Sequence, residues 1–410
     1  MHLSQLSLLN VRSFRRLELH LEPGAYVLVG ENAEGKSNLL EAIALLATTR
    51  TQRPGNDAEL ISWAALREDP LPAARFAGSV ESARGSDTVE MTIAARALAP
   101  PERSRADDGT PAAGAAPAPP PTSRRFRLNG VARRASDLVG TLRVVLFSAA
   151  DLGVVAGSPQ ARRRYLDLTL SQVEGVYVRA AQRYQRVLQQ RNSLLRRLAE
   201  RRGRPDELDF WDEELAQAGS VLLVERALSL DHLAADAARR YAELAPGDAP
   251  LRPCYRPALP QPLADELLAG GAGARDWLAA AFREALTERR REEIAAGLTR
   301  IGPHRDDVAF LLGGRELAAT ASRGQQRGAA LALRLAEVEL FRVRTGEPPV
   351  LLLDDVLSEL DGRRRERVIE VAYGVDQLLV TTPDPARPPP GAVVGERRLR
   401  LASGELRPVE

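Results

Sequence analysis

Eight consecutive residues, Gly30-Glu31-Asn32-Ala33-Glu34-Gly35-Lys36-Ser37, match the G-x-x-x-x-G-K-S spacing that holds a nucleotide's phosphates. The two glycines let the backbone curl until successive N–H groups face an anion. Lys36 brings a mobile cation to the β- and γ-phosphate oxygens, and the Ser37 hydroxyl suits Mg2+. Asn38 follows at the start of a helix and completes the candidate ATP-contacting set. Far along the chain, Val350-Leu351-Leu352-Leu353 runs into Asp354-Asp355, an apolar strand ending in two carboxylates. That pattern suits a Walker B element, with Asp354 as a magnesium ligand and Asp355 polarising the attacking water. Ser322-Arg323-Gly324-Gln325 precedes another helix, where a hydroxyl and free N–H groups form a second anion cradle. Ser358-Glu359-Leu360-Asp361 comes directly after the acidic strand.

Such groups work only if strands and helices hold them. Leu17, Leu19 and Leu21 alternate with polar residues, as in a half-buried strand, and Pro23-Gly24 supplies a turn. Tyr26-Val27-Leu28-Val29 then reads as a short buried strand ending at Gly30, with a helix expected from Ser37. The dipole of that helix adds positive potential at the phosphate site. Residues 75–96 and 124–147 carry further strand patterns. Between them, 99–123 is rich in Ala, Pro and Gly; it cannot bury enough surface to offset its ordering entropy, which predicts a disordered loop.

The character changes near Pro159. Val173, Val176, Ala180, Tyr184, Val187 and Leu188 recur at heptad-like spacing within a helical run over 160–200, and Leu194, Leu195 and Leu198 continue it. Gly203-Arg204-Pro205 breaks the run, a second follows over 207–245, Pro-rich 246–262 interrupts, and 275–296 is helical again. A helix is expected from about Gly328 to Arg342, and Leu378-Leu379-Val380-Thr381 reads as another buried strand. The pattern predicts an α/β fold in three segments. Residues 1–158 form the N-terminal part of an ATPase head, 159–298 an inserted α-helical arm, and 299–410 the C-terminal part of the head with a tail.

Composition narrows the classes. The chain has 410 residues, is 44% hydrophobic and carries a net charge of +2, so nucleic-acid binding would need local arginine patches rather than global charge. Arg162-Arg163-Arg164 and the arginines at 179–202 are the candidates, the latter reading equally well as a solvated helix face. One cysteine, Cys254, excludes an intramolecular disulfide, and four scattered histidines show no metal cluster. The sequence shows neither a signal-peptide pattern nor a stretch long and apolar enough for a membrane span, which suggests a cytoplasmic protein.

The order of motifs is more specific than any one of them. A P-loop, a long insertion, Ser-x-Gly-Gln, an acidic strand and Ser-Glu-Leu-Asp make the layout of a two-lobed ABC-type ATPase; simple P-loop kinases and GTPases lack it. Asn38-Leu39-Leu40-Glu41-Ala42-Ile43, Gly302-Pro303-His304-Arg305-Asp306-Asp307, Ser322-Arg323-Gly324-Gln325-Gln326-Arg327 and Leu352-Leu353-Asp354-Asp355-Val356-Leu357-Ser358 together resemble the RecF family of ABC/SMC-type ATPases over nearly the whole chain. Gly157-Ser158-Pro159-Gln160-Ala161-Arg162 matches the same pattern before the arm.

The resemblance implies ATP and Mg2+ as cofactors and a homodimer formed on ATP. Ser322, Arg323, Gly324 and Gln325 would act in trans, with Ser358 and Asp361 in the D-loop. It implies binding of gapped, single- and double-stranded DNA, weak DNA-stimulated ATP hydrolysis as a switch, and help in loading RecA with RecO and RecR during repair and the SOS response. The runner-up is an SMC-like chromosome-organising ATPase, which would need a far longer coiled coil than 159–298 supplies. Ala33 stands where the family usually has glycine, and Phe147-Ser148-Ala149-Ala150-Asp151-Leu152 lacks the usual Pro-Glu pair. Thr381-Thr382 occupies the place of the transporter histidine. Arg12, Phe14 and Arg15 resemble a family segment near the nucleotide, and His304 reads as a structural turn residue.

Overall fold

The computed structural model describes residues 1–31, 33–51, 56–95, 120–270, 275–357, 360–382, 396–402 and 404–409. In chain order the elements begin β1 (His2–Val11), β2 (Phe14–His20), β3 (Gly24–Val29), α1 (Lys36–Thr48), α2 (Trp63–Glu68), β4 (Ala73–Ser82), β5 (Gly85–Ala95), β6 (Thr122–Leu128), β7 (Val131–Arg133), α3 (Ala135–Leu138) and β8 (Val144–Phe147). Then come α4 (Leu152–Ala156), α5 (Pro159–Val173), α6 (Gly175–Ala199), α7 (Leu208–Leu244), β9 (Leu251–Arg256), α8 (Gln261–Ala269), α9 (Arg275–Ala296), β10 (Asp307–Leu312), β11 (Arg315–Glu316), α10 (Leu317–Thr320) and α11 (Arg323–Thr345). The chain closes with β12 (Val350–Asp354), α12 (Gly362–Ala372), β13 (Gln377–Thr382), β14 (Arg397–Ala402) and β15 (Glu405–Pro408).

Two compact units result. The first comprises Met1–Leu146, Pro349–Glu359 and Val375–Glu410. Its antiparallel sheet has the order β2-β1-β4-β5-β6-β7, and its second sheet the order β15-β14-β3-β13-β12-β8. In the second sheet β14, β3, β13 and β12 run parallel. The nearly unbroken apolar runs of β3, β12 and β13 reflect burial on both faces, whereas β14 is arginine-rich and largely exposed. Helix α1 is apolar almost all round because both sheets cover it. Leu39, Leu40 and Ile43 share one core with Leu6, Phe76 and Met91 of the antiparallel sheet and with Leu28, Leu352 and Leu379 of the parallel one. The sequence-predicted loop over 99–123 lies largely outside the described residues; at its end, Thr122 and Ser123 already pair with Ala95 and Ala94 in β6.

The second unit comprises Phe147–Pro348 and Leu360–Gly374. Helices α6 and α7 are joined by a short turn and packed on each other and on α9. The apolar residues read from spacing line this contact, with Tyr184, Val187, Leu188, Leu194, Leu195 and Leu198 buried, whereas Val176 is exposed. The single helix expected over 160–200 is two. Glu174 adopts extended φ/ψ between α5 and α6, and Gly175 restarts the helix. The Pro-rich interruption holds a strand that composition concealed: β9 pairs antiparallel with β10 from Leu251↔Leu312 to Arg256↔Asp307. Pro253 is tolerated because β9 is an edge strand of its sheet, order β11-β10-β9.

Candidate nucleotide-binding site

Strand β3 delivers the chain to Gly30, and α1 starts at Lys36 after Gly35 turns through φ 107°, a left-handed conformation natural to glycine. Ala33 also takes φ 71°, so the residue that replaces the family glycine adopts the backbone glycine would favour, at some steric cost. A side chain at Gly30 would meet Glu34 Oε2 at 2.5 Å and the Leu401 carbonyl at 2.6 Å, so β14 backs the loop closely. Glu34 Oε2 accepts the Glu31 N–H at 2.8 Å, and Asn38 donates to Ser13 Oγ at 3.2 Å. Asn32 lies outside the described residues.

Lys36 is buried and donates to the carbonyls of Gly30 at 2.6 Å and Glu31 at 2.7 Å. Burial lowers its pKa, opposed by the charges of Glu34, Asp355 and Asp354. The Ser37 hydroxyl donates to Asp354 Oδ1 at 2.7 Å, joining residues 317 positions apart. Thr381 on neighbouring β13 donates to the same oxygen at 3.0 Å and accepts the Asp355 N–H at 2.8 Å. In the sequence Thr381 shows only as a replacement for the transporter histidine; the parallel register Asp354↔Thr381 makes it the second anchor of the acidic strand. A hydroxyl and a carboxylate in contact are the hard oxygen donors that Mg2+ takes alongside phosphate oxygens. Asp355 is exposed with φ 54° at the end of β12, a left-handed position that aspartate tolerates better than most residues. Arg12, φ 46° at the β1–β2 turn, reaches Glu41 on α1 at 3.1 Å.

In the second unit, α11 begins immediately after Ser322, five residues earlier than the expected start near Gly328. Ser322 Oγ accepts the Gln325 N–H at 3.3 Å, and Gln325 Oε1 accepts the Ser322 N–H at 2.9 Å, a reciprocal capping box. The Ser322 hydroxyl proton therefore stays available, and Ser322, Arg323 and Gly324 are all exposed. Gln325 Nε2 also donates to Asp248 at 3.3 Å; Tyr241 donates to the same carboxylate oxygen at 2.8 Å. Asp361 caps α12 by accepting the Arg364 N–H at 3.0 Å; Ser358 lies outside the described residues.

The Gly302-Pro303-His304-Arg305-Asp306-Asp307 segment turns inward. Asp306 accepts from Arg226 at 2.9 Å, from the Ala258 N–H at 2.8 Å and from the Tyr255 hydroxyl. Arg226, itself buried, also holds Asp167 at 2.8 Å. His304 Nε2 lies 3.1 Å from the Thr299 carbonyl and must donate there, leaving Nδ1 to accept the Tyr184 hydroxyl at 2.7 Å. Burial, opposed by the Thr299 hydrogen bond, lowers its pKa to about 4 and keeps it neutral at physiological pH. Arg162 forms a bidentate pair with Asp307 at 2.7 and 2.9 Å, and Arg163 donates to the Asp306 carbonyl at 2.6 Å. Of the three arginines, Arg164 alone is exposed. In the loop without Pro-Glu, Asp151 is buried and held by Arg334 at 2.6 Å.

A family model described as an AAA domain matches residues 5–90. The structure titled recombination mediator protein RecF-ATP in the RecFOR pathway superposes with a TM-score of 0.81 at 26% identity, over 100% of this chain and 98% of that one. An SMC head bound to the C-winged helix domain of ScpA shares the fold alone, with a TM-score of 0.50 at 15% identity over 100% of this chain and 98% of that one. Two sheets about a P-loop helix, with an acidic strand beside the loop, define the ABC/SMC class of ATPase heads. The chain is 45% identical over 390 residues to the DNA replication and repair protein RecF of Roseiflexus castenholzii, covering 93% of each. It is 42% identical over 412 residues to that of Chloroflexus aurantiacus, covering 99% of each. The chain belongs to the RecF family of DNA replication and repair proteins.

Proposed function

We propose that this chain is an ATP-dependent DNA clamp of recombinational repair and replication restart, closed by ATP between two copies and reopened by slow, DNA-stimulated hydrolysis. The observation that carries this is the contact of Ser37, beside buried Lys36, with Asp354 in one unit, together with the exposed, capped helix start at Ser322–Gln325 in the other. Lys36 and the loop N–H groups bind the β- and γ-phosphates. Ser37 and Asp354 would hold Mg2+, which shields the phosphate charge when bound. Asp355 orients and deprotonates the attacking water. Ser322 and Gly324 of one copy, fixed by Gln325, donate to the γ-phosphate held by its neighbour, with Arg323 beside them. The D-loop residues Ser358 and Asp361 belong to the same junction.

Dimerisation in this scheme is a linkage effect, because ATP binds the paired state better than the single one. The partners implied by family membership are gapped, single- and double-stranded DNA, and RecO and RecR in loading RecA. The solved relative described as a recombination mediator supports that reading. The test is Ser322→Arg, whose bulky cation fills the cradle but leaves Lys36, Ser37 and Asp354 intact. It should bind ATP with wild-type affinity by calorimetry yet lose at least tenfold in turnover; unchanged turnover would contradict a shared site.

A further inference from the structure

Arginines far apart in sequence align in one row on the outer face of the antiparallel sheet. Strand register makes Arg16, Leu9, Arg75, Thr92 and Arg125 successive cross-strand neighbours from β2 through β1, β4 and β5 to β6. The adjoining row on the same face runs Glu18, Ser7, Ala77, Glu90 and Arg127. Alternation sends Leu8, Phe76 and Met91 to the opposite face, where they are buried in the core. The arginine side chains face solvent, with Arg16 75% and Arg75 51% exposed.

Charge on this face is unbalanced. Arg75 pairs with Glu90 at 2.9 Å, and Arg16 lies 3.9 Å from Glu18. Among the described residues Arg125 and Arg127 have no carboxylate partner. Strands about 4.8 Å apart place alternate-strand arginines about 10 Å from one another and stretch the row to about 19 Å. Between them Ser7, Ala77 and Thr92 raise no bulky side chain, and Leu9, 43% exposed, is the one large apolar group in the two rows. Arginine clusters that take acidic peptides converge on one or two acidic groups, whereas this row spaces its charges along about 19 Å. A broad, flat, cationic row on a hydrogen-bonded sheet suits a regular array of phosphates instead.

We propose that the DNA phosphodiester backbone lies across this face, with Arg16, Arg75, Arg125 and Arg127 neutralising phosphates. The assignment rests on the DNA-binding reading above and adds the surface. It differs from the arginines legible in sequence, since Arg162 and Arg163 are engaged by Asp307 and Asp306.

The test is a triple variant, Arg16→Gln/Arg125→Gln/Arg127→Gln, which keeps the Arg75–Glu90 pair. Affinity for a labelled mixed-sequence duplex is measured by anisotropy against salt concentration, with ATP present. Losing three phosphate contacts should reduce the slope of log affinity against log salt by about 2.7, while ATP binding stays at the wild-type level. The matching Arg→Lys triple, which retains charge, should keep the slope. So should Arg179→Gln/Arg186→Gln on the exposed surface of α6. A Gln triple with the wild-type slope, or an α6 variant that loses it, overturns the sheet-face assignment alone. A wild-type chain with no salt-dependent DNA binding overturns the DNA reading itself, and this surface with it.

Discussion

At the scale of single residues, the candidate phosphate site depends on atoms contributed by the first turn of α1 and by two strands, β12 and β13. Ser37 and Thr381 both donate to Asp354 Oδ1, so the acidic strand is held from the loop side and from β13. Lys36 is positioned by two carbonyls of its own loop, which aims its ammonium without neutralising it. Replacing it by methionine removes a charge-assisted hydrogen bond, and Lys36→Met should weaken ATP binding by about 10- to 100-fold. Calorimetric titration checks this, and wild-type affinity would remove the P-loop assignment. Gly30, Lys36, Ser37 and Asp354 were legible in sequence because each lies within a contiguous motif. Thr381 was not, because only the parallel pairing of β12 with β13 brings it to Asp354. Arg162 and Arg163 read as candidate DNA contacts, and their engagement by Asp307 and Asp306 was hidden for the same reason: those partners lie more than a hundred residues away.

At the scale of elements, the helices of the second unit are cross-linked by a buried charge cluster. Arg191 on α6 is fully buried, 2.6 Å from Asp212 on α7 and 2.7 Å from Glu293 on α9, and it donates to Thr299 at 2.8 Å. Arg290 adds a second cation on Asp212 at 2.6 Å. Such a pair contributes little when intact and costs much when broken, since the surviving carboxylates stay buried. Arg191→Met should destabilise the chain by about 3–5 kcal/mol in urea unfolding. A change near zero would mean that water or rearrangement satisfies Asp212 and Glu293. Heptad-like spacing revealed these helices because their apolar faces are regular. It missed the Glu174 break, whose only signal in the sequence is Gly175, an isolated glycine that a continuous helix also tolerates at a cost of about 1 kcal/mol. It also missed β9, whose Pro253 argues against a strand unless the strand lies at an edge. The arginine row on the antiparallel sheet was invisible for a further reason: alternation within each strand can be read, but register between strands cannot.

At the scale of the whole molecule, a net charge of +2 conceals a cationic sheet face, and family membership accounts for the motif order from Gly30 to Asp361. In the proposed scheme each unit carries one phosphate cradle, built from Lys36, Ser37 and Asp354 in one and from Ser322 and Gly324 in the other. The proposed dimer follows from joining each cradle to its complement on a second copy, so nucleotide and assembly state should titrate together. Light scattering on the eluting chain, with and without saturating ATP and Mg2+, measures this directly. The account predicts a 44.6 kDa species without nucleotide and twice that mass with it. A chain that binds ATP and still elutes at the single-copy mass would contradict it.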